Sequence, residues 1–231
     1  MWSGPRNIST AMMRAWENRP DTQVIDEPFY AHFLQHTGLD HPMCSEVISH
    51  GETDWRAVVE QISTPPESGL FYQKHITAHW LDHLSVDWLD KLSHVFLIRE
   101  PEPVVASYAI KRDALTTGDV GYAQQAALFD HISSHHGQPV VIDSKRFLAD
   151  PAAQLKSVCH ALDVTFFDSM LSWPAGPRDT DGIWGSHWYD AVNRSTGFGP
   201  ARNSTATLDK SQQRVADICR PYYESMLRYA I

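Results

Sequence analysis

The run His94-Val-Phe-Leu-Ile98, followed by Arg99-Glu-Pro101, is the stretch of sequence that decides the fold of this chain. Its apolar part, from Val95 to Ile98, is typical of a strand that is buried on both faces of a parallel sheet. Arg99-Glu-Pro ends the strand, and residues 103–112 are predicted to form the next helix. A buried strand that leads directly into a helix favours an α/β protein.

Short strands alternate with helices along the rest of the chain. Strands are predicted at residues 22–25, 69–74, 94–98 and 139–142, and helices at 9–18, 54–62, 78–92, 103–112, 122–135, 150–162 and 209–229. Residues 32–52 are predicted to form loops with short helices, and residues 174–204 a long ordered loop. We therefore expect a single domain over residues 1–231, with helices on both faces of a parallel sheet and 209–229 as the closing helix.

The composition excludes several classes of protein. A net charge of −9 argues against a nucleic-acid partner bound by general electrostatics. Cys44, Cys159 and Cys219 are widely spaced and include no C-x-x-C pair, which indicates reduced thiols. No apolar run approaches the ~20 residues that a membrane span needs. We expect a soluble, cytoplasmic monomer or homodimer that has neither nucleic acid nor a membrane as partner.

The N-terminal segment Ser3-Gly-Pro-Arg6-Asn7-Ile8-Ser9-Thr10 predicts an anion site. It combines a turn, a guanidinium, two hydroxyls and the start of a helix, where a phosphate or sulfate group binds well. The ATP/GTP loop reads G-x-x-x-x-G-K-[ST], but here Ser9 and Thr10 stand where that loop has its second Gly and its Lys. Only Met1 and Trp2 precede Ser3, so either the first strand is very short or the natural chain starts further upstream.

Two other segments carry groups that could bind an anion. Arg99 follows the most apolar strand and Ser107 lies in the next helix, so both are predicted to share the crevice at the carboxyl ends of the strands. Alternatively, Arg99 pairs with Glu100 or Glu102. The segment Arg194-Ser-Thr-Gly197-Phe-Gly is a weaker signal that by itself indicates a turn.

These motifs together resemble those of the sulfotransferases that use 3′-phosphoadenosine 5′-phosphosulfate (PAPS). The segment from Pro5 to Thr10 is similar to the loop that holds the 5′-phosphosulfate in that family. A strand ending in Arg, with Ser eight positions later, matches the family's 3′-phosphate signature. The resemblance implies a P-loop NTPase-like three-layer α/β/α fold with four to five parallel strands, PAPS as co-substrate and no metal. It also implies that the donor is bound by Arg6, Asn7, Ile8, Ser9, Thr10, Arg99, Ser107, Arg194 and Gly197.

The chain departs from the family pattern at two places. Asn7-Ile8 stands where Ser-Gly is usual, and the Gly-to-Ile change leaves less room for the backbone to approach a ligand. Arg194-Ser-Thr-Gly stands where the cytosolic members have Arg-Lys-Gly.

The resemblance also bears on the catalytic groups. The segment from Asp26 to Tyr30 resembles one that carries the catalytic carboxylate in some members, so Glu27 is the first choice for the base; alternatively it caps a turn or pairs with Arg6. Burial would have to raise the pKa of Glu27 above about 4.3 for efficient base catalysis.

Lys74 and His75, at the end of the third predicted strand, are similar to the Lys-Thr-His string of the cytosolic branch. Lys74 is then a charge stabiliser, or else a surface lysine, and His75 is the second choice for the base.

Aromatic and histidine side chains are further candidate ligands. His75, His79 and His83 recur at i,i+4 spacing and would share one helical face, where three histidines could bind a metal. A polar or substrate-facing stripe is the preferred interpretation, and no metal is expected. Trp184 and Trp188, in the predicted loop, could wall an adenine or acceptor pocket.

The function predicted is in-line, metal-independent transfer of a sulfuryl group from PAPS to a hydroxyl or amine of a small-molecule acceptor. Acceptor specificity is assigned to residues 32–52 and 174–204. Two alternatives stay open: a nucleotide-dependent kinase, disfavoured because the loop lacks its Lys, and a non-catalytic nucleotide- or anion-binding protein.

Overall fold

A central sheet of five parallel strands organises the protein, which a computed structural model describes over residues 1–64, 66, 69–110, 115–200 and 207–231. The strands are β1 (Trp2–Ser3), β2 (Thr22–Asp26), β3 (Leu70–Ile76), β4 (Val95–Ile98) and β5 (Val140–Asp143), in the order β2-β3-β1-β4-β5. Each neighbouring pair is parallel. The parallel sheet predicted from the sequence is therefore confirmed.

The first strand is only two residues long, yet it occupies the middle of the sheet. Trp2 pairs with His75 of β3 on one side and with Phe96 of β4 on the other. The strand order reverses at this position, and parallel sheets bind their ligands beside such a switch point. The segment that follows Ser3 is thereby placed over the centre of the sheet's carboxyl edge.

Helices cover both faces of the sheet. They are α1 (Ser9–Glu17), α2 (Tyr30–Thr37), α3 (Cys44–His50), α4 (Trp55–Ser63), α5 (Pro101–Ala109), α6 (Thr117–Val120), α7 (Tyr122–His136), α8 (Ser144–Ala149), α9 (Pro151–Ala161), α10 (Gly185–Trp188), α11 (Asp190–Asn193) and α12 (Lys210–Leu227). Along β4, Phe96 and Ile98 join the apolar cluster built with α5, α7 and α12. Val95 and Leu97 join the opposite cluster, built with α1 and α9. The alternation gives the predicted three layers, because successive side chains of a strand point to opposite faces.

The prediction of a helix at residues 78–92 is wrong. Two short 3₁₀ turns, Thr77–His79 and Asp87–Lys91, stand in its place. The Thr77 hydroxyl bonds the backbone carbonyls of Ser3 and Gly121, and Ser85 bonds the Asp87 backbone N–H. The local Ser85 bond competes with helix formation, and the Thr77 bonds hold the first turn against β1 and Gly121.

The predicted boundaries shift at several other elements. Strand β3 runs on to Ile76, so that Lys74 and His75 lie inside the strand rather than at its end. Residues 32–52 contain most of α2 and all of α3, and the described part of 174–204 contains α10 and α11. The closing helix is α12, which Asp209 caps. The predicted helix end at Arg112 and the predicted loop end at Ser204 lie outside the described residues. Among those described, no helix has the length and apolar character that crossing a membrane requires.

Candidate functional site

A cleft of about 970 Å³ opens at the carboxyl edge of the sheet. It is lined by the segment after β1, the end of β3, the first turn of α2, helix α5 from Pro103 onwards, and residues of the late segment, by which we mean residues 174–200 with α10 and α11. The sheet topology accounts for its place, because the loops on either side of a switch point diverge and leave a crevice.

The segment after β1 presents backbone N–H groups to the cleft. Arg6 and Ile8 both take left-handed backbone conformations, with φ of 57° and 35°. Helix α1 starts after Ile8, whose side chain makes no capping hydrogen bond, and Ser9, Thr10 and Ala11 of its first turn line the cleft. Uncapped N–H groups at a helix N-terminus form a site for an anion.

Asn7 anchors this segment. Its Nδ2 donates a 2.7 Å hydrogen bond to the backbone carbonyl of Leu97, inside the sheet. The side chain is buried, and it fastens the segment to β4.

Two guanidinium groups meet beside the anchored segment. Arg6 Nε donates to Ser107 Oγ at 3.0 Å, and Arg99 Nη1 donates to the Arg6 carbonyl at 2.7 Å. Burial lowers the pKa of both arginines from the ordinary value, although a guanidinium remains charged in any protein. A protein with a net charge of −9 thus concentrates positive charge at one point of its cleft.

The glutamates that follow Arg99 in the chain pair with other residues. Glu102 pairs with Arg220 of α12, and Lys145 lies 3.4 Å from Glu100. The Arg99 guanidinium is directed instead at the segment after β1, where it bonds the Arg6 carbonyl.

A buried cluster of charges lies further along the cleft. Lys74 Nζ donates to Asp26 Oδ1 at 2.8 Å, to Glu27 Oε1 and to Tyr189 Oη at 3.0 Å. Tyr189 in turn donates to Asp26 Oδ2 at 2.6 Å. The Lys74 side chain is 1% exposed, so it is not a surface lysine, and Glu27 is 10% exposed at the cleft wall.

Burial and charge set the protonation states of this cluster. Burial raises the pKa of Glu27, and the nearby Asp26 adds to the effect while Lys74 opposes it. Burial by itself would lower the pKa of Lys74, but Asp26 and Glu27 together hold it well above its ordinary value. The arrangement keeps an ammonium beside a carboxylate that accepts a proton more readily than usual, which is the tuning that a general base requires.

The backbone holds Glu27 in place despite its conformation. Its φ of 42° lies in the left-handed region, where a non-glycine residue is strained. The Glu27 N–H donates to the Lys74 carbonyl at 2.8 Å, and the Glu27 carbonyl accepts from Tyr30 N–H at 3.0 Å. Strain that the surroundings maintain is characteristic of functional sites.

The sequence did not indicate that His79 lies beside the Glu27 carboxylate. Its Nδ1 lies 3.9 Å from Glu27 Oε2, and its ring stacks on Tyr30 at 4.5 Å with an interplanar angle of 3°. Burial lowers the pKa of His79 well below its ordinary value, so the ring is neutral. Only its place in the 3₁₀ turn after β3 brings it to Glu27, and no sequence motif marks that place.

The structure does not bring His75 into the cleft. Its ring stacks on Trp2 with centroids 4.3 Å apart, and its Nε2 lies 3.1 Å from Gln73 Oε1. His75, His79 and His83 do not share a helical face, because His75 belongs to β3 and His79 to the turn that follows it. The predicted stripe is therefore wrong.

The late segment closes the far side of the cleft. Arg194, Gly197 and Trp188 line it, and the Arg6 guanidinium lies 6.0 Å from the centroid of the Trp188 ring. Trp184 packs behind this wall and donates from Nε1 to Tyr189 Oη at 3.0 Å. Of the two tryptophans named from the sequence, Trp188 is the one that walls the cleft.

Comparisons with known proteins agree with this architecture. A family model described as "Sulfotransferase domain" matches residues 1–230. Two solved structures resemble the chain at 14% identity: the sulfotransferase domain of the Synechococcus PCC 7002 olefin synthase (TM-score 0.58, 94% of this chain and 92% of that one) and that of the curacin biosynthetic pathway (TM-score 0.53, 95% of each). Sulfotransferase domains have a P-loop-like α/β fold, which confirms the fold class.

Two plant proteins are also similar in sequence. They are named branched-chain-amino-acid aminotransferase-like proteins 2 and 1, from Arabidopsis thaliana, and each is 33% identical over 223 residues. The match covers 96% of this chain but only 40% of each relative, so the chain spans about two fifths of their length. The family match, in contrast, extends over almost the whole chain. The chain belongs to the sulfotransferase domain family.

Proposed function

We propose that this protein transfers a sulfuryl group from PAPS to a hydroxyl or amine of a small-molecule acceptor, without a metal ion. The observation that carries the proposal is the arrangement of one cleft: two groups of residues suited to anions lie along it, and the buried Glu27–Lys74 pair lines the same wall. Family membership supports sulfuryl transfer in general.

The residues at the two positions suit the two ends of such a donor. The uncapped first turn of α1 and Arg6 would hold the 5′-phosphosulfate, where backbone N–H groups and a guanidinium are available. Arg99 and Ser107 would hold the 3′-phosphate, since a guanidinium can bond two oxygens of one phosphate. Arg194 and Gly197, across the cleft, would close over the donor.

The Glu27 carboxylate and the Lys74 ammonium then have separate roles in the transfer. Glu27 accepts the proton of the acceptor hydroxyl or amine as that atom attacks sulfur. A new bond to sulfur forms while the bond between sulfur and the bridging phosphate oxygen breaks. The Lys74 ammonium stabilises the negative charge that develops, and such fixed charges in a water-poor site contribute strongly to catalysis. His75 has no part in this scheme.

The donor proposal is tested by calorimetric titration with adenosine 3′,5′-bisphosphate and with adenosine 5′-monophosphate, which lacks the 3′-phosphate. Replacing Arg99 by Met should weaken binding of the bisphosphate about 10- to 100-fold, the range for a hydrogen bond to a charged group. It should weaken binding of the monophosphate much less, because that nucleotide has no 3′-phosphate and loses only the support that Arg99 gives to the Arg6 carbonyl. Lys145→Met is the matched control, because Lys145 is exposed and pairs with Glu100. Equal losses for both nucleotides in Arg99→Met would contradict the assignment.

The reaction itself is tested with labelled PAPS against a panel of alcohols, phenols, amines and sugars, with and without magnesium. Label transfer in the absence of magnesium supports the proposal. Tight binding without any transfer would favour the non-catalytic alternative, and binding that depends wholly on magnesium would favour a kinase.

A further inference from the structure

Three histidines from two separate segments converge outside the cleft. His32 and His36 lie one turn apart on α2, and His83 comes from the segment between the two 3₁₀ turns that follow β3. One ring nitrogen from each lies within 4.8 Å of the other two. His32 Nε2 and His83 Nε2 are 3.0 Å apart, and the rings of His36 and His83 have centroids 4.3 Å apart.

The orientation of His32 leaves a ligating atom directed at the other two. Its Nδ1 lies 2.7 Å from the backbone carbonyl of Thr53 and donates to it. The neutral ring therefore carries its free lone pair on Nε2, the atom that faces His83. A backbone carbonyl that fixes the far nitrogen of a histidine in this way is a regular feature of metal sites.

The cluster is reachable from solvent, because His32 is buried whereas His36 and His83 are exposed.

The spacing also suits a tetrahedral ion. Two nitrogens bound to one Zn²⁺ at about 2.0–2.1 Å stand about 3.3 Å apart. The 3.0 Å between the His32 and His83 nitrogens is close to that value, and the His36 nitrogen lies within 4.8 Å of both. Imidazole ligands select zinc, copper, nickel or iron over magnesium or calcium.

We propose that His32, His36 and His83 form a site for one divalent transition-metal ion, with Zn²⁺ as the best match and a fourth position open to water. The ion would tie α2 to the segment after β3. Phe33, next to His32 on α2, lines the cleft and stacks on His79 at 4.8 Å. The site therefore braces the wall of the cleft without contributing a group to it, and its existence does not depend on sulfuryl transfer.

The test is calorimetric titration of tag-free, chelator-treated protein with zinc chloride, in the absence of nucleotide. The parent protein should bind one equivalent tightly and gain thermal stability. His36→Gln and His83→Gln remove exposed side chains, so both variants should fold. Each should weaken zinc binding by more than about 100-fold, because loss of even an outer partner of a metal ligand costs 10- to 100-fold.

His135→Gln is the matched control. His131 and His135 form another histidine pair at i,i+4, on α7, with ring centroids 4.4 Å apart. This variant should bind zinc like the parent. Zinc affinity that is unchanged in His36→Gln and His83→Gln, loss of the tight equivalent in His135→Gln, or absence of a tight equivalent in the parent would each overturn the proposal.

Discussion

Individual residues in this protein are strained where the function is proposed. Ile8 and Glu27 have φ of 35° and 42°, and a left-handed conformation costs a non-glycine residue roughly 1–2 kcal/mol. A β-branched side chain is the least suited to it. At Ile8 the strain turns the backbone so that the first turn of α1 opens to the cleft, and at Glu27 it sets the carboxylate beside Lys74. In both cases the strained backbone lowers stability and places a polar group at the cleft.

The strain at Ile8 is measurable with a pair of variants. Ile8→Ala and Ile8→Gly both remove the side-chain packing, but only glycine relieves the left-handed backbone. We expect Ile8→Gly to be more stable than Ile8→Ala by about 1 kcal/mol, because glycine adopts the left-handed conformation without a Cβ clash and is also better tolerated than alanine at an N-cap. Urea unfolding of the two variants checks the difference. An alanine variant as stable as the glycine variant would show that position 8 is unstrained.

Glu27 should govern the acidic limb of the pH profile. The base acts when it is deprotonated, so kcat/KM rises as pH increases through its pKa. Since burial raises that pKa, the midpoint should lie above the ordinary value of about 4.3. Glu27→Gln should remove the limb and lower kcat about 10²- to 10⁴-fold, the usual contribution of a general base. Glu60→Gln, at an exposed position of α4, serves as control, and an unaltered pH profile in Glu27→Gln would exclude Glu27 as the base.

At the scale of elements, the sequence predicts what short-range patterns encode. The run from Val95 to Ile98 identifies β4 because four consecutive apolar residues suit a strand buried on both faces. The helix predicted at 78–92 fails because apolar residues at helical spacing can also be buried by successive turns, as Leu84, Trp88 and Leu89 are. Tyr189 could not be assigned to Lys74, because 115 residues separate them and only the packing of the late segment joins them.

A buried ion pair fastens the late segment to helix α1. Arg14 of α1 donates from Nη2 to Asp181 Oδ2 at 2.7 Å, with side chains 0% and 7% exposed. Arg14→Met would leave the Asp181 carboxylate with the Arg178 backbone N–H but without its charged partner, and loss of one member of a buried ion pair typically costs about 3–5 kcal/mol. We expect a fall in unfolding free energy of that order, together with weaker acceptor binding, because Tyr189 and Trp188 lie on the same segment.

The comparison for this prediction is an exposed pair. Lys145 and Glu100 are 66% and 38% exposed, and removing Lys145 should change stability by less than about 0.5 kcal/mol. Denaturant titration of Arg14→Met and Lys145→Met gives both values. Similar stabilities for the two variants would mean that the late segment does not depend on Arg14.

Across the whole molecule, buried histidines outside the group His32, His36 and His83 make stability depend on pH. Burial holds the pKa of His75 and of His79 well below 6.5, and that of His94 at about 4. As pH falls through 6.5, the unfolded chain binds protons at these three positions more readily than the folded protein does. Stability therefore falls as pH decreases below about 6.5. Glu27 acts in the opposite direction, since its raised pKa favours protonation in the folded state.

The loss of stability at acidic pH is best measured in the Glu27→Gln variant, because this variant lacks the opposing titration of Glu27. His94 alone should cost about 2 kcal/mol of unfolding free energy between pH 7 and pH 5, from an unfolded pKa near 6.5 and a folded pKa of about 4, and His75 and His79 add to this loss. Replacing His94 by Gln in the same background should remove its share of the pH dependence while lowering stability at pH 7, because His94 accepts from Trp2 and donates to the Leu89 carbonyl. Urea titrations at the two pH values give both numbers. Equal unfolding free energies at pH 7 and pH 5 would mean that the buried rings take up protons without unfolding, and that the apolar layer around β1 tolerates a charge.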